Sequence, residues 1–157
     1  MKRGFSWKTF LVSLLIVYGA ALVGSLLIGN KTSSSWYLAT KPIITPPGWV
    51  FPIVWNILFL MIALALYFVW IYARREDKKI IAFVFGLNLF LNVLWSFLFF
   101  TLESPFLAFF DIVLLWVSII AMMVVLWKIY REATPLIVPY FLWVSFASFL
   151  NWLSIKM

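Results

Sequence analysis

Apolar and polar positions divide the chain into five long apolar runs separated by short polar breaks. The runs cover residues 9–28, 48–72, 80–102, 105–127 and 135–155, and each is long enough to cross the hydrocarbon core of a bilayer as a helix. The first run is too long for the apolar region of a signal peptide, so it is predicted to span. Prolines punctuate the pattern: Pro105 and Pro135 stand at predicted first helical positions, and Pro52 falls in the first turn of the second run, where amides have no partner within the helix. Residues 29–47 form the single long polar connection, predicted as a lid loop. Its prolines, Pro42, Pro46 and Pro47, fix their own φ and restrain the preceding residues, so the loop is shaped. Lid and stiff connector are both consistent with that pattern.

Composition turns the pattern into a class. The chain has 157 residues, 66% of them hydrophobic and 11% charged, with a mean hydropathy of +1.11, whereas soluble domains are about a quarter charged. The prediction is an all-α integral membrane bundle of five transmembrane helices forming one domain, 1–157. The net charge of +7 sits in short clusters between the runs, which reads as a topology signal and not as a nucleic-acid surface. With five spans, one side receives nine basic residues (Lys2, Arg3, Lys8, Arg74, Arg75, Lys78, Lys79, Lys128, Arg131) and the other three (Lys31, Lys41, Lys156). The N-terminus is then predicted to be cytoplasmic and the 29–47 loop to lie on the outer side. The chain lacks cysteine and histidine, which excludes disulfides, Cys/His zinc sites, histidine-activated nucleophiles and the common axial ligands of haem; no metal site is predicted.

Polar groups within the apolar runs carry the remaining information. Asn88, Asn92, Trp95, Ser96 and Phe99 share one helical face, as do Tyr140, Trp143, Ala147, Leu150 and Asn151. Two such faces can line one pocket, or can simply join helices through hydrogen bonds worth about 1 kcal/mol each. An interfacial aromatic belt accounts for Trp7, Trp36, Trp49, Trp70, Trp127 and Trp152, but not for Trp55, Trp95, Trp116 and Trp143, which lie deeper. Asp111 is the one carboxylate within a run. A structural hydrogen bond is its expected role, with Lys41 a conceivable partner and proton coupling the alternative. Ala20 and Gly24 form a small-xxx-small pair suited to close helix packing.

Several strings carry a family pattern. Lys41, Pro42, Pro46, Pro47, Trp49, Val50, Phe51, Val54 and Trp55 fit KPxxxPPxWVFxxVW; Leu91, Asn92 and Trp95 fit LNxxW; and Pro139, Tyr140, Trp143, Phe146, Ala147, Leu150 and Asn151 fit PYxxWxxFAxxLN. With Asp111 in the fourth run, the chain resembles the tryptophan-rich sensory protein / translocator protein (TspO) family, related to the peripheral-type benzodiazepine receptor. It departs from the pattern at Ile43 and Ile44, where an aromatic is frequent, and at Trp152, where the cholesterol motif of animal members needs tyrosine.

The resemblance implies a five-helix bundle, often homodimeric, in the bacterial cytoplasmic membrane, with a tryptophan-rich pocket beneath the loop that accepts porphyrins and drug-like ligands. The ligand-binding residues it implies are Pro42, Phe51, Trp55, Asn92, Trp95, Trp143, Ala147, Leu150 and Asn151. It requires no cofactor, porphyrin being ligand or substrate. Three functions follow: tetrapyrrole sensing by binding; light- and oxygen-dependent porphyrin degradation, with Trp55 and Trp143 as the catalytic pair; and transport of tetrapyrroles or lipids. No paired carboxylates or phosphate loop support conventional catalysis, and no internal repeat supports a two-fold transporter.

Overall fold

The computed structural model describes residues 4–156, so Lys2 and Arg3 of the predicted basic side lie outside the described residues. Helix α1 (Trp7–Ile28) begins where the Ser6 side chain accepts the Thr9 amide, and it ends at Gly29, whose positive φ of 49° suits a residue without Cβ. A 3₁₀ turn (Lys31–Ser33) and the short helix α2 (Ser35–Thr40) follow. Then come α3 (Val50–Tyr72), α4 (Lys78–Ser96), α5 (Pro105–Tyr130) and α6 (Val138–Ser154). Helix α4 runs on into a π-helical turn, Phe97–Thr101, and a 3₁₀ segment, Arg131–Ile137, joins α5 to α6. No strand occurs among the described residues.

By length and apolarity, four helical stretches could cross a membrane: Trp7–Ser33, Val50–Tyr72, Lys78–Thr101 and Pro105–Ser154. The last is 50 residues long, more than twice the roughly 20 that a bilayer requires, and it doubles back on itself. Asn151 near its end donates to the carbonyl of Pro105 at its start, 2.8 Å away.

Two expectations are corrected. Pro135 does not open the last helix: it sits inside the 3₁₀ segment, and α6 starts at Val138 with Pro139 in its first turn. Either proline can occupy a first turn, but one placed there leaves the other to the tight connection. Nor is the 29–47 connection irregular throughout. The Ser34 side chain accepts the Tyr37 amide at 3.1 Å and nucleates α2, and the non-helical remainder runs on to Trp49.

The bundle packs α1 against α3 and α4, and α5 against α4 and α6. At Gly24 α1 passes close to α4, and a Cβ added there would meet the Ser96 hydroxyl at 3.5 Å, an ordinary contact, so a small residue suffices at this crossing. Val17, Ile62, Ile81, Ile112, Ile119 and Met122 fill the interior, while leucines and phenylalanines such as Leu15, Leu26, Phe83 and Leu114 face outward. Helices apolar on every side are what a bilayer-embedded bundle requires.

Candidate functional site

Helix α3 carries Phe51, Trp55 and Phe59 at four-residue spacing, so their rings form one stripe. Trp55 stacks on Phe59 with centroids 5.3 Å apart and meets Tyr140 of α6 edge-on at 6.2 Å. One turn outward, Phe51 meets Trp143 at 5.8 Å, again edge-on. The aromatic stripe of α3 and the Tyr140/Trp143 turn of α6 therefore face each other. Beside this contact, on the neighbouring faces of α3 and α6, an open groove of about 470 Å³ is lined by Val54, Ile57, Leu58, Pro139, Leu142, Trp143 and Phe146. Its lining is almost wholly carbon, and of the four aromatic residues in the two edge-on pairs only Trp143 reaches it. The Trp143 indole N–H lies behind that surface, a buried donor with no partner among the described residues.

Helix α4 closes the inner side with amides. The Tyr140 hydroxyl donates to Asn88 Oδ1 (3.2 Å) and accepts from Asn92 Nδ2 (3.3 Å), and Asn88 Nδ2 donates to the Ser118 hydroxyl (2.8 Å). This cluster joins α4, α5 and α6 in the bundle interior. A second connection lies further out: Trp95 Nε1 donates to Asn151 Oδ1 and Asn151 Nδ2 donates to Pro105 O, both at 2.8 Å. An indole N–H can only donate and a carbonyl can only accept, so the orientation of the Asn151 amide is determined by its partners.

The loop touches this architecture at its first half. Trp36 meets Phe99 at 5.6 Å, Tyr37 meets Phe100 at 5.6 Å, and Lys31 Nζ donates to the Thr101 hydroxyl at 3.1 Å, all on the π-helical turn of α4. Burial pushes the Tyr37 hydroxyl above its ordinary value. Phe99 in turn stacks on Trp95 at 5.0 Å, so the loop, the π turn and the Trp95–Asn151 pair form one continuous contact. Pro42 is buried, whereas Ile43 beside it is 96% exposed.

Of the residues singled out in the sequence, Phe51, Trp55 and Trp143 come together at the α3/α6 contact, where Trp143 also lines the groove, with Asn92 behind them through Tyr140. Trp95 and Asn151 pair with each other; Leu150 is buried and Ala147 half-buried on the same helix. Trp116 belongs elsewhere: its Nε1 donates to the Ser145 hydroxyl at 2.8 Å, beside a second groove of about 420 Å³ between α5 and α6. Asp111 does not have the hydrogen bond expected of it, because neither carboxyl oxygen has a partner among the described residues, and Lys41 is exposed. The groove residues Pro139, Leu142 and Phe146 were not singled out as site residues. Their spacing with Trp143 is that of one helical face, so the signal was present but looked like ordinary lipid-facing sequence.

Comparison with known proteins gives the family. The model of the TspO/MBR family matches residues 11–156, nearly the whole chain. The chain belongs to the TspO/MBR family. Among TspO relatives, it is 40% identical over 130 residues to the tryptophan-rich protein TspO of Chlorobaculum tepidum, covering 79% of this chain and 80% of that protein. It is 35% identical over 140 residues to the protein of the same description from Archaeoglobus fulgidus, covering 88% and 90%. It is also similar to the tryptophan-rich sensory protein of Cereibacter sphaeroides, at 29% identity over 152 residues, covering 96% and 92%. TspO/MBR membership and the apolar helices together make this a membrane protein.

Proposed function

We propose that this TspO-family chain is a membrane ligand-binding protein that takes a porphyrin, or another planar hydrophobic molecule, against the aromatic wall of α3 and α6. The observation that carries the reading is the open apolar groove between α3 and α6, lined by Trp143, beside the aromatic contacts of Phe51 with Trp143 and of Trp55 with Tyr140, with a buried, unpaired indole N–H at Trp143. Aromatic faces and edges suit a flat macrocycle, and a lone donor in a carbon-lined wall suits an acceptor on its periphery. Asn92, bonded to Tyr140, supports the wall from behind, and α2 over Phe99 and Phe100 caps the outer end.

In this reading the 50-residue stretch from Pro105 to Ser154 crosses twice, α5 going one way and α6 returning, which gives five spans in a single domain. The basic ends of α1, α3, α4 and α5 then face the cytoplasm, and α2 lies on the outer side of the bacterial cytoplasmic membrane. A homodimer, as the family resemblance implies, is compatible with the apolar outer surface.

Titration of the purified protein with protoporphyrin, followed by tryptophan emission, tests the binding. Saturable quenching that weakens in Trp55→Phe and Trp143→Phe is expected, and absence of saturable quenching overturns the reading. Light-dependent degradation is the second reading, favoured by the two indoles, Trp55 and Trp143, at the α3/α6 contact, and the same titration under illumination separates it from binding alone.

A further inference from the structure

Asp111 is the least explained group in the bundle. It sits on α5 at 4% exposure, and among the described residues neither of its oxygens has a hydrogen-bond partner. The Tyr140 hydroxyl is already committed, donating to Asn88 and accepting from Asn92. Ser118, one face-repeat along α5, spends its proton on the Leu115 carbonyl at 2.6 Å and its lone pair on Asn88.

No counter-charge faces Asp111 from any packed element. On α4 the facing groups are Asn88, Asn92 and Ser96, and its cations Lys78 and Lys79 are at the other end. Helix α3 has no charged residue, α1 has only Lys8 at its start, and α6 presents Tyr140, with Lys156 beyond its end. The π turn presents Thr101, which is held by Lys31, and the 3₁₀ segment keeps Arg131 and Glu132 beside Lys128, at the far end of α5. Glu103 in the α4–α5 turn is exposed.

An ionised carboxylate without donors or counter-charge is several kcal/mol too costly in such a place, by roughly the penalty that applies to buried unpaired ions. A bound cation would call for further carboxylates, yet Glu76, Asp77, Glu103 and Glu132 all lie in turns or at helix ends. A proton needs no such shell. We infer that Asp111 is a proton-binding site within the bundle, and that its helix, bonded through Ser118 and Asn88 to the Tyr140 hydroxyl, links loss of that proton to occupancy of the α3/α6 groove. The linkage rests on the ligand site proposed above; the proton site does not.

The direction follows from linkage: a native state that binds more protons than the unfolded one loses stability as pH rises. Infrared spectroscopy of the wild-type protein at neutral pH is expected to show the C=O stretch of a protonated carboxylic acid, absent in Asp111→Asn. A spectrum with carboxylate bands alone overturns the proton site, and needs no variant. As pH rises from about 4, where an aspartate of the unfolded chain titrates, toward neutrality, wild-type thermal stability is expected to fall relative to that of Asp111→Asn; parallel profiles overturn the assignment to Asp111. Protoporphyrin affinity should depend on pH in the wild type and not in Asp111→Asn. Equal pH dependence in both refutes the link to the groove. If protoporphyrin does not bind at any pH, the ligand site fails and the link with it, while the infrared and stability results still decide the proton site.

Discussion

Replacing Asn151 by alanine removes two hydrogen bonds at once, one from α6 to α4 and one from α6 to α5. The amide accepts from Trp95 on α4 and donates to Pro105 at the start of α5, both at 2.8 Å. The two losses differ in cost. The Pro105 carbonyl remains in the first turn of its own helix ladder, so losing Asn151 there forfeits only a side-chain bond, about 0.6 to 1.7 kcal/mol in a membrane protein. The Trp95 indole N–H has no second acceptor and becomes a buried orphan, at a cost of about 1–3 kcal/mol. The sum is about 2–5 kcal/mol, large enough to displace a reversible unfolding curve in mixed detergent and denaturing micelles, read by far-ultraviolet circular dichroism. Asn151→Asp sharpens the test. It retains an acceptor for Trp95 but turns a carboxylate oxygen toward the Pro105 carbonyl, and it should be at least as destabilising as alanine. An Asn151→Ala protein that unfolds at the same denaturant fraction as wild type would refute the reasoning and return Asn151 to the list of ligand contacts.

Three further outcomes are expected. Tyr140→Phe keeps the ring against Trp55 but strips Asn88 of a donor and Asn92 of an acceptor, so stability should fall by about 1–2 kcal/mol in the same assay. Porphyrin quenching should persist in that variant, though shifted in affinity. Gly24→Ala should be tolerated, because its Cβ meets Ser96 at an ordinary contact distance of 3.5 Å, whereas Gly24→Leu should push α1 from α4 and lower the melting temperature. If porphyrin is consumed under light, Trp55→Phe and Trp143→Phe should each slow its bleaching; unchanged bleaching in both would remove those indoles from the photochemistry.

What could be read from the chain depended on periodicity, and what could not depended on which of several chemically equal options the packing took. The apolar runs announce helices because residues of this kind have no other way to satisfy their backbone in hydrocarbon. The shared face of Asn88, Asn92 and Trp95 is arithmetic on a helical wheel, as is that of Tyr140, Trp143 and Asn151. Partner choice is not arithmetic. Asn151 could have pointed at a ligand, and only the coordinates show both its amide groups engaged. Asp111 invited a partner on electrostatic grounds, yet the helices place no donor beside it. Pro135 and Pro139 are each acceptable in a first turn, so the start of α6 is undetermined until the 3₁₀ segment is seen. The caps of α2 and the π turn arise from local competition among hydrogen bonds that apolar patterning does not register.

The connection between α1 and α3 is mechanically a cantilever. Its near end is clamped on the π turn by Lys31, Trp36 and Tyr37, and its far end, residues 43–49, has only the short-range bonds from Thr45 to Pro42 and from Val50 to Pro47 to hold its shape. Amides of α2 should accordingly exchange with deuterium slowly and those around Ile43 and Ile44 quickly, and a protease able to reach the outer face should cut first near Ile43. In the binding reading proposed above, a cover held at one end only would make affinity and exchange rate separately tunable, the clamp residues setting how long the loop stays in place and the α3/α6 side chains how tightly a ligand is held.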